Sequence, residues 1–305
     1  MKTMIKNLTK KIIKKLFNGI SDLSNKNTQR VSELHETVQF LNYEVKKMND
    51  FRRLFLLNNS KNMNFSANDL KAFDFQWKNH NTGNDLLDDK NFKATNQDII
   101  CKYLKIDKDF LKGKKVLDVG AGSGRFTYGF LSMGAKVTSI EGTRAGCEQI
   151  NATCQEFSEN LTVLNKNILS DSLPREFDVV FCYGVVHHTG NTYLAMKNVC
   201  NTAKHNAKVF FMIYGYPDKY EAFKELNFYE VWRDRLRNKE FSEKLEEIKK
   251  NFPKENVHGC LDAFSPREND LLSYNEIVDV LNQFGLEKIQ RTLDHRNIHI
   301  VGIKK

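Results

Sequence analysis

The sequence predicts an α/β fold with helices on both faces of a sheet. From about residue 96, short apolar segments of strand length alternate with helical segments, and this order of elements produces parallel β-α-β units. The composition, 40% hydrophobic and 28% charged over 305 residues, is that of a chain that buries a sizeable core. No run of 18 apolar residues occurs, so no membrane-spanning helix is expected.

Seven segments have the apolar pattern of strands, and helical segments separate most of them. The predicted strands are Lys115–Val119, Lys136–Ile140, Leu161–Leu164, Phe177–Tyr183, Val209–Tyr214, Leu286–Leu293 and Ile298–Ile303. The predicted helices between them are Phe126–Leu131, Ala145–Glu156 and Tyr193–Ala203. Ser273 and Glu276 form a capping box for a further helix, which ends near Phe284 because Gly285 follows it.

The amino-terminal residues 1–57 differ from the rest in pattern and charge. Eight of the first 30 residues are Lys or Arg and one is Asp, so this segment carries +7 of the formal net charge of +9. Within residues 5–20, apolar residues recur at helical spacing with lysines between them, which predicts a basic amphipathic helix. Such a helix binds an anionic membrane surface, or it packs on the body or a partner with its lysines in solvent.

Residues 31–48 have apolar positions spaced alternately by three and four residues, which predicts a short coiled coil. This segment either joins two copies of the chain in a homo-oligomer or folds back onto the body. Residues 58–72 are polar and predict a linker to one domain over residues 73–305. Within that domain, the charged and aromatic residues 215–270 interrupt the alternation and predict a helical insert.

The cysteines and the charge distribution exclude several classes of protein. The six cysteines form no C-x-x-C pair, which favours reduced thiols and a cytoplasmic location over a disulfide framework. Neither a secretory signal nor the spacing of metal ligands is visible, so no metal is predicted. Because the chain beyond residue 30 carries only +2, a nucleic-acid partner is not expected.

The strongest local signal is a glycine-rich turn that follows the first strand and opens a helix. Its glycines, Gly120, Gly122 and Gly124, have the spacing G-x-G-x-G. Dinucleotide-binding turns have G-x-G-x-x-G, so a nicotinamide enzyme is disfavoured. Asp118 lies two residues before the turn, and Glu141 ends the second strand, where a carboxylate accepts the hydroxyl groups of a ribose.

On these residues the sequence resembles the class I S-adenosylmethionine (SAM)-dependent methyltransferases, over roughly residues 73–305. Val116–Gly124 is similar to the first motif of the family, and Glu141 to its ribose-binding acid. Phe177–Tyr183 resembles its fourth strand, which ends beside the methyl donor. Gly184–Thr189 resembles a subgroup with a Leu-His-His-Thr turn. Two further segments resemble that subgroup, Phe73–Trp77 and Leu261–Pro266.

The resemblance implies a Rossmann-like seven-stranded sheet, SAM as the cofactor and a lid formed by residues 215–270. Asn167 stands where many relatives have an Asp near the adenine, and its amide oxygen can still accept a hydrogen bond. The implied cofactor contacts are Asp118, Gly120, Ala121, Gly122, Ser123, Gly124, Glu141, Asn167, Tyr183 and Trp77. Candidate acceptor contacts in the insert are Tyr214, Tyr216, Tyr220, Trp232, Arg233, Asp262 and Arg267.

His187 and His188 follow the fourth strand, at the end of the sheet where ligands bind. A neutral imidazole is a suitable general base for a hydroxyl near pH 7, so at least one of the pair is predicted to line the acceptor pocket. The residues do not separate the two, and the resemblance favours His187.

The turn after the fourth strand also bears on the acceptor. It lacks the Asn/Asp-Pro-Pro-aromatic pattern of enzymes that methylate amino groups of bases, and Cys182 lacks the preceding proline of base-carbon methylation. The prediction is O-methylation of a small-molecule or glycan hydroxyl. Two alternatives stay open, an RNA or protein methyltransferase docked through the basic segment and a non-catalytic scaffold at a membrane or complex.

Overall fold

The computed structural model describes residues 14–15, 18–19, 21–34, 67–79, 87, 89–216, 220–253, 255, 257–266 and 268–305. The chain divides into two compact units, Met1–Asn58 and Asn59–Lys305. In the first unit, residues 14–15, 18–19 and 21–34 are helical. The remainder of the predicted basic helix and coiled coil lies outside the described residues, so both stay predictions.

The second unit is an α/β domain with a seven-stranded sheet, as predicted. Its strands are β1 Lys115–Val119, β2 Lys136–Glu141, β3 Leu161–Asn165, β4 Phe177–Tyr183, β5 Ala203–Ile213, β6 Leu286–Leu293 and β7 Ile298–Lys304. Its helices are α1 Ala67–Asn79, α2 Phe92–Leu104, α3 Arg125–Ser132, α4 Arg144–Thr153, α5 Thr192–Cys200, α6 Tyr220–Leu236, α7 Phe241–Asn251, α8 Val257–Phe264 and α9 Tyr274–Gln283. Short 3-10 turns occur at Lys108–Leu111, Gln155–Asn160 and Val186–His188.

The sheet has the strand order β3-β2-β1-β4-β5-β7-β6. The first five strands are parallel, whereas β7 is antiparallel to β5 and to β6. The order reverses between β1 and β4, and ligands of open α/β sheets bind beyond the carboxyl ends of strands at such a reversal. The core beneath this edge is aromatic, with the rings of Phe181 and Phe210 stacked at 4.6 Å.

Several boundaries differ from the sequence prediction, among them the end of α4 at Thr153 instead of Glu156. α1 begins at Ala67, so the end of the predicted linker, residues 58–72, is helical. The predicted helix Tyr193–Ala203 ends at Cys200, and β5 begins at Ala203. The first half of β5 was missed because its residues are polar and exposed and because its pairing with β4 shifts register there.

The predicted insert, residues 215–270, is helical and contains α6, α7 and α8. It has its own small apolar cluster, which includes Leu236, Ile248, Leu261 and Phe264. Tyr220 lies in α6 without a described side chain, and Arg267 lies outside the described residues. Over the described part of the chain, we find no helix with both the length and the apolar character needed to cross a membrane.

Candidate active site

A cavity of about 520 Å³ lies at the carboxyl ends of the parallel strands. Its volume is within the range of about 300–1,000 Å³ that is usual for small-molecule sites. Of the twelve predicted cofactor-binding and catalytic residues, nine line it, namely Trp77, Gly120, Ala121, Gly122, Ser123, Glu141, Asn167, Tyr183 and His188. Three do not, namely Asp118, Gly124 and His187.

The glycine turn forms the floor of the cavity with bare backbone. Gly122 has a φ of +56°, in the left-handed region that favours glycine. A Cβ atom at Gly122 would lie 2.7 Å from Cζ2 of Trp77, and one at Gly120 would overlap the side chain of Val185. Both glycines therefore let a neighbouring side chain approach the turn more closely than any other residue allows.

Asp118 and Gly124 support this turn from outside the cavity. Asp118 accepts a hydrogen bond from the hydroxyl of Thr127 at 2.7 Å. Burial raises the pKa of Asp118 to about 7, although that hydrogen bond acts in the opposite direction. Gly124 begins α3, and a Cβ atom there would lie 3.0 Å from the Cα of Ile150 in α4. These two residues hold the turn from outside the cavity, and their predicted cofactor contacts stay predictions.

Glu141 is a buried carboxylate at the end of β2, on the wall of the cavity. Its Oε2 accepts from the backbone N–H of Gly122 at 3.0 Å, and its Oε1 accepts from the N–H and the hydroxyl of Thr143, both at 2.9 Å. Burial raises the pKa of Glu141, and these hydrogen bonds lower it. A carboxylate has about four acceptor positions, so three donors leave capacity for a ligand hydroxyl.

The side chain of Glu141 has room only because Gly146 lies opposite it in α4. A Cβ atom at Gly146 would lie 2.5 Å from Cγ of Glu141. Sequence reasoning missed Gly146. The available signal was a glycine in the first turn of a predicted helix, where glycine costs about 1 kcal/mol relative to alanine and therefore indicates a close approach.

The segment around Asn167 closes the cavity beyond β3. The backbone N–H of Asn167 donates to Oδ2 of Asp171 at 2.7 Å, and its side-chain oxygen accepts from the N–H of Leu169 at 2.9 Å. The amide oxygen therefore uses one lone pair within its own loop and keeps the second. Its predicted adenine contact stays a prediction.

Helix α1 lies across the glycine turn. Phe73 and Trp77, one helical turn apart, both line the cavity. Between them, Asp74 accepts from the N–H of Ala145 at 3.0 Å, which fixes α1 against the start of α4. Asp74 was not among the predicted site residues, although it lies inside the Phe73–Trp77 segment.

His188 is the histidine on the cavity wall. Its Nδ1 lies 3.0 Å from the backbone carbonyl oxygen of Glu268. Because a carbonyl oxygen only accepts, Nδ1 carries the hydrogen and donates it, and Nε2 of the neutral ring is left as an acceptor. Burial lowers the pKa of His188, and the charge of Asp262 opposes that shift. The ring is therefore a neutral base near pH 7.

His187, which the resemblance favoured, is fully buried behind the cavity. Its ring stacks on Tyr214 with the centroids 3.9 Å apart, and neither ring nitrogen has a hydrogen-bond partner in the described structure. Burial holds the pKa of His187 well below its usual value. The two side chains diverge because residues 186–188 form a 3-10 turn, in which successive residues point about 120° apart.

Part of the cavity wall was not predicted from the sequence. Asn96 in α2 and Arg125 in α3 both line the cavity, and Nε of Arg125 donates to Oδ1 of Asn96 at 2.7 Å. Arg125 directly follows the glycine turn, and that position was the available signal.

Comparison with known proteins gives matches to methyltransferases. Residues 117–209 match a family model described as a methyltransferase domain. The ubiquinone biosynthesis O-methyltransferase of Idiomarina loihiensis is 28% identical over 36% of this chain and 46% of its own length. The tRNA U34 carboxymethyltransferase of Dichelobacter nodosus is 37% identical over 28% of this chain and 29% of its own length. The chain thus spans less than half the length of these curated relatives.

Among solved structures, a magnesium protoporphyrin IX methyltransferase from Synechocystis PCC 6803 with bound S-adenosylhomocysteine (SAH) aligns over 70% of this chain and 83% of its own length. The identity is 14% and the TM-score 0.45. The family match is the stronger finding, because it runs from within β1 into β5 and so contains the glycine turn, Glu141 and the histidine turn. Residues 117–209, which hold the core of the candidate site, therefore match a methyltransferase domain.

Proposed function

We propose that this protein transfers a methyl group from SAM to a hydroxyl group of a small-molecule or glycan acceptor, with His188 as the general base. One observation carries the proposal. His188, whose neutral ring has an unprotonated Nε2, lines the same cavity as the glycine turn and Glu141. A nucleoside-binding carboxylate and a base that share one cavity suit proton removal beside a bound nucleoside cofactor.

The residues present fit SAM. The turn at Gly120 and Gly122 offers bare backbone that a Cβ atom would obstruct, and the buried Glu141 retains acceptor capacity for a ribose hydroxyl. Trp77 covers the turn, and Asn167 closes the far end. When bound, SAM supplies an electrophilic methyl group on its sulfonium sulfur.

His188 removes the proton that an acceptor hydroxyl must lose as its oxygen attacks the methyl group. The carbonyl of Glu268 holds the Nδ1 hydrogen and so fixes both the ring and its tautomer. The positive charge that the ring gains is stabilised by Asp262, whose charge raises the pKa of His188. Proton transfer by a positioned side chain contributes about 10²–10⁴-fold to a rate.

The helical insert supplies the cover that keeps water from the acceptor. Nε of Arg233 in α6 donates to the carbonyl of Ala263 at 2.8 Å, which joins α6 to α8. Asp262, from α8, lines the cavity. A closed site of this kind strengthens the electrostatic interactions within it.

The first test is isothermal titration of SAM, and of its demethylated product S-adenosylhomocysteine (SAH), into the wild-type protein, Glu141→Ala and Glu148→Ala. Glu148 pairs with Arg144 at the surface of α4 and serves as the matched control. We expect micromolar binding in the wild type and the control, and loss of binding in Glu141→Ala. Folded wild-type protein that binds neither compound would refute the proposal.

The charge of the amino-terminal segment supports one alternative, in which an RNA or protein acceptor docks through residues 1–30. That segment carries +7 of the net charge of +9. Binding of a polyanionic acceptor would then weaken steeply with salt and fail after deletion of residues 1–30. Flat salt dependence would refute this alternative.

Co-sedimentation of the full chain with anionic vesicles tests the membrane contact of residues 5–20, and sedimentation equilibrium tests self-association through residues 31–48.

A further inference from the structure

A second cavity, of about 210 Å³, adjoins the first, and both Tyr214 and Asp262 line the two. We propose that this second cavity binds an anionic group of the acceptor, a carboxylate or a phosphate, and that Arg296 is the residue that recognises it. The inference rests on the proposed function, because the acceptor whose hydroxyl faces His188 is the molecule that would extend into the second cavity.

The described lining of the second cavity carries more positive than negative charge. It includes the guanidinium groups of Arg233 and Arg296 and the carboxylate of Asp262. The acids that pair with the two arginines, Glu230 and Glu225, do not line the cavity and are each about half exposed. Exposed partners are screened by water and salt, so the positive charge of the cavity is only partly compensated.

The two arginines have different roles. Arg233 is buried, and its nitrogens are committed to the protein. Nε donates to Ala263 at 2.8 Å and Nη1 to Glu230 at 2.5 Å. With the amide of Asn269 in the orientation that satisfies both groups, its oxygen accepts from Nη1 at 2.6 Å and from Nη2 at 3.0 Å. Arg233 thus builds the wall and adds a fixed positive charge.

Arg296 retains hydrogen-bonding capacity. Only its Nη1 has a side-chain partner in the described structure, Oε2 of Glu225 at 3.4 Å. A guanidinium has five N–H donors in a planar fork that matches a carboxylate or a phosphate, so most of this fork remains for a ligand. The backbone of Arg296 is fixed, because its carbonyl oxygen packs against Gly215 with no space for a Cβ atom there.

Asp262 gives the acceptor a direction. It stands where the two cavities meet, on the side of the first cavity that holds His188. A carboxylate there repels an anionic group near His188 and accepts from a neutral hydroxyl. An acceptor with a hydroxyl at one end and an anionic group at the other therefore binds with the hydroxyl at His188 and the anion at Arg296.

The test uses the full chain, saturated with SAH. Inorganic phosphate is then titrated in as the probe, and its binding is measured by calorimetry at constant ionic strength. Trimethyl phosphate, which has the same core without charge, is the control ligand. The variants are Arg296→Gln, Arg296→Lys and the matched control Arg235→Gln, since Arg235 lies in α6 with Arg233 but pairs with Glu247 outside the cavity. Melting temperatures verify that each variant is folded.

We expect saturable phosphate binding to the wild type and no binding of trimethyl phosphate. Arg296→Gln should weaken phosphate binding about tenfold or more, the effect of about 1.4 kcal/mol, whereas Arg296→Lys and Arg235→Gln should retain it. SAH affinity should be unchanged in all three variants, because none of these arginines lines the first cavity.

Two results would overturn the inference while the proposed function stands. One is normal SAH binding without saturable phosphate binding, and the other is phosphate binding that Arg296→Gln leaves unchanged. Failure of the proposed function is seen earlier and separately, as absence of SAH binding by the wild type before phosphate is added, and the inference falls with it.

Discussion

Replacement of Gly146 by alanine adds one methyl group at the point where α4 faces the candidate ribose-binding carboxylate. The new Cβ atom would lie 2.5 Å from Cγ and 2.9 Å from Cδ of Glu141, and 2.8 Å from the hydroxyl oxygen of Thr143. Because these distances are shorter than van der Waals contact, Glu141 must move. Movement takes it away from its three donors at Gly122 and Thr143.

The expected magnitudes follow from this overlap. Overpacking a core costs about 1–3 kcal/mol, and alanine in a helix recovers about 1 kcal/mol relative to glycine. The free energy of unfolding should therefore fall by only about 0–2 kcal/mol. The loss of SAH affinity should be larger than the loss of stability, because each hydrogen bond to a charged group is worth about 1.5–3 kcal/mol. Loss of one such bond to the ribose weakens binding about 10- to 100-fold.

The assay combines urea unfolding with calorimetric titration of SAH, and Gly129→Ala is the matched control. Gly129 also lies in a helix, and a Cβ atom there would lie 2.6 Å from Cδ1 of Ile100, away from Glu141. Both variants should lose a similar amount of stability, and only Gly146→Ala should lose SAH affinity. Equal SAH affinity in the two variants would refute the assignment of Glu141 to the ribose.

The other predictions concern the histidine pair and the tryptophan. His188→Gln should lower kcat about 10²–10⁴-fold and leave SAH affinity unchanged, and an unaltered rate in this variant would exclude His188 as the base. In the wild type, kcat/KM for a hydroxylated acceptor should be flat above pH 6.5 and fall in acid, because burial lowers the pKa of His188. His187→Phe should keep SAH binding. Because burial lowers the pKa of His187 in the folded state, the unfolded chain takes up a proton below pH 6.5 that the folded chain does not, and stability falls in acid by up to about 1.4 kcal/mol per pH unit. His187→Phe lacks this contribution. Between pH 7.5 and pH 5, its free energy of unfolding, measured with urea, should therefore fall less than that of the wild type. Trp77→Ala should weaken SAH binding about tenfold or more, or about 1.4 kcal/mol, because the ring covers Gly122. Most of this loss should be faster dissociation of SAH, measured by stopped-flow fluorescence. An unchanged dissociation rate would count against a covering role.

The central strands were predictable because β1, β4 and the second half of β5 are mostly apolar, unlike the first half of β5. There, Lys204, His205 and Asn206 are exposed, and no periodicity separates a polar strand extension from a loop. The start of α1 at Ala67 was missed for a related reason. Its sequence up to Lys71 is mostly polar, and the helix is held by contacts distant in sequence, such as that of Asp74 with Ala145.

At the site, the sequence could place the glycine turn and Glu141 on one sheet edge because each stands at the carboxyl end of a predicted parallel strand. The motif could not tell which of its members line the cavity. Asp118 and Gly124 flank the turn, but the pleat of β1 and the packing of α3 on α4 direct them elsewhere. Gly146 was invisible for another reason, since its role depends on a side chain across a gap in the fold.

The histidine pair also connects the insert to the chemistry. The carbonyl that fixes the tautomer of His188 belongs to Glu268, and two residues later the N–H of Asp270 donates to the carbonyl of His187 at 2.9 Å. A side-chain bond from the hydroxyl of Thr192 to Asp270, at 2.6 Å, adds a third attachment between this segment and the start of α5. The segment that follows the helices of the insert therefore also holds the proposed base, His188. If the segment moved away, Nδ1 of His188 would lose its acceptor and the ring its fixed tautomer. If His188 is the base, as we propose, the segment that covers the cavity and the tautomer of the base are therefore linked through Glu268 and Asp270.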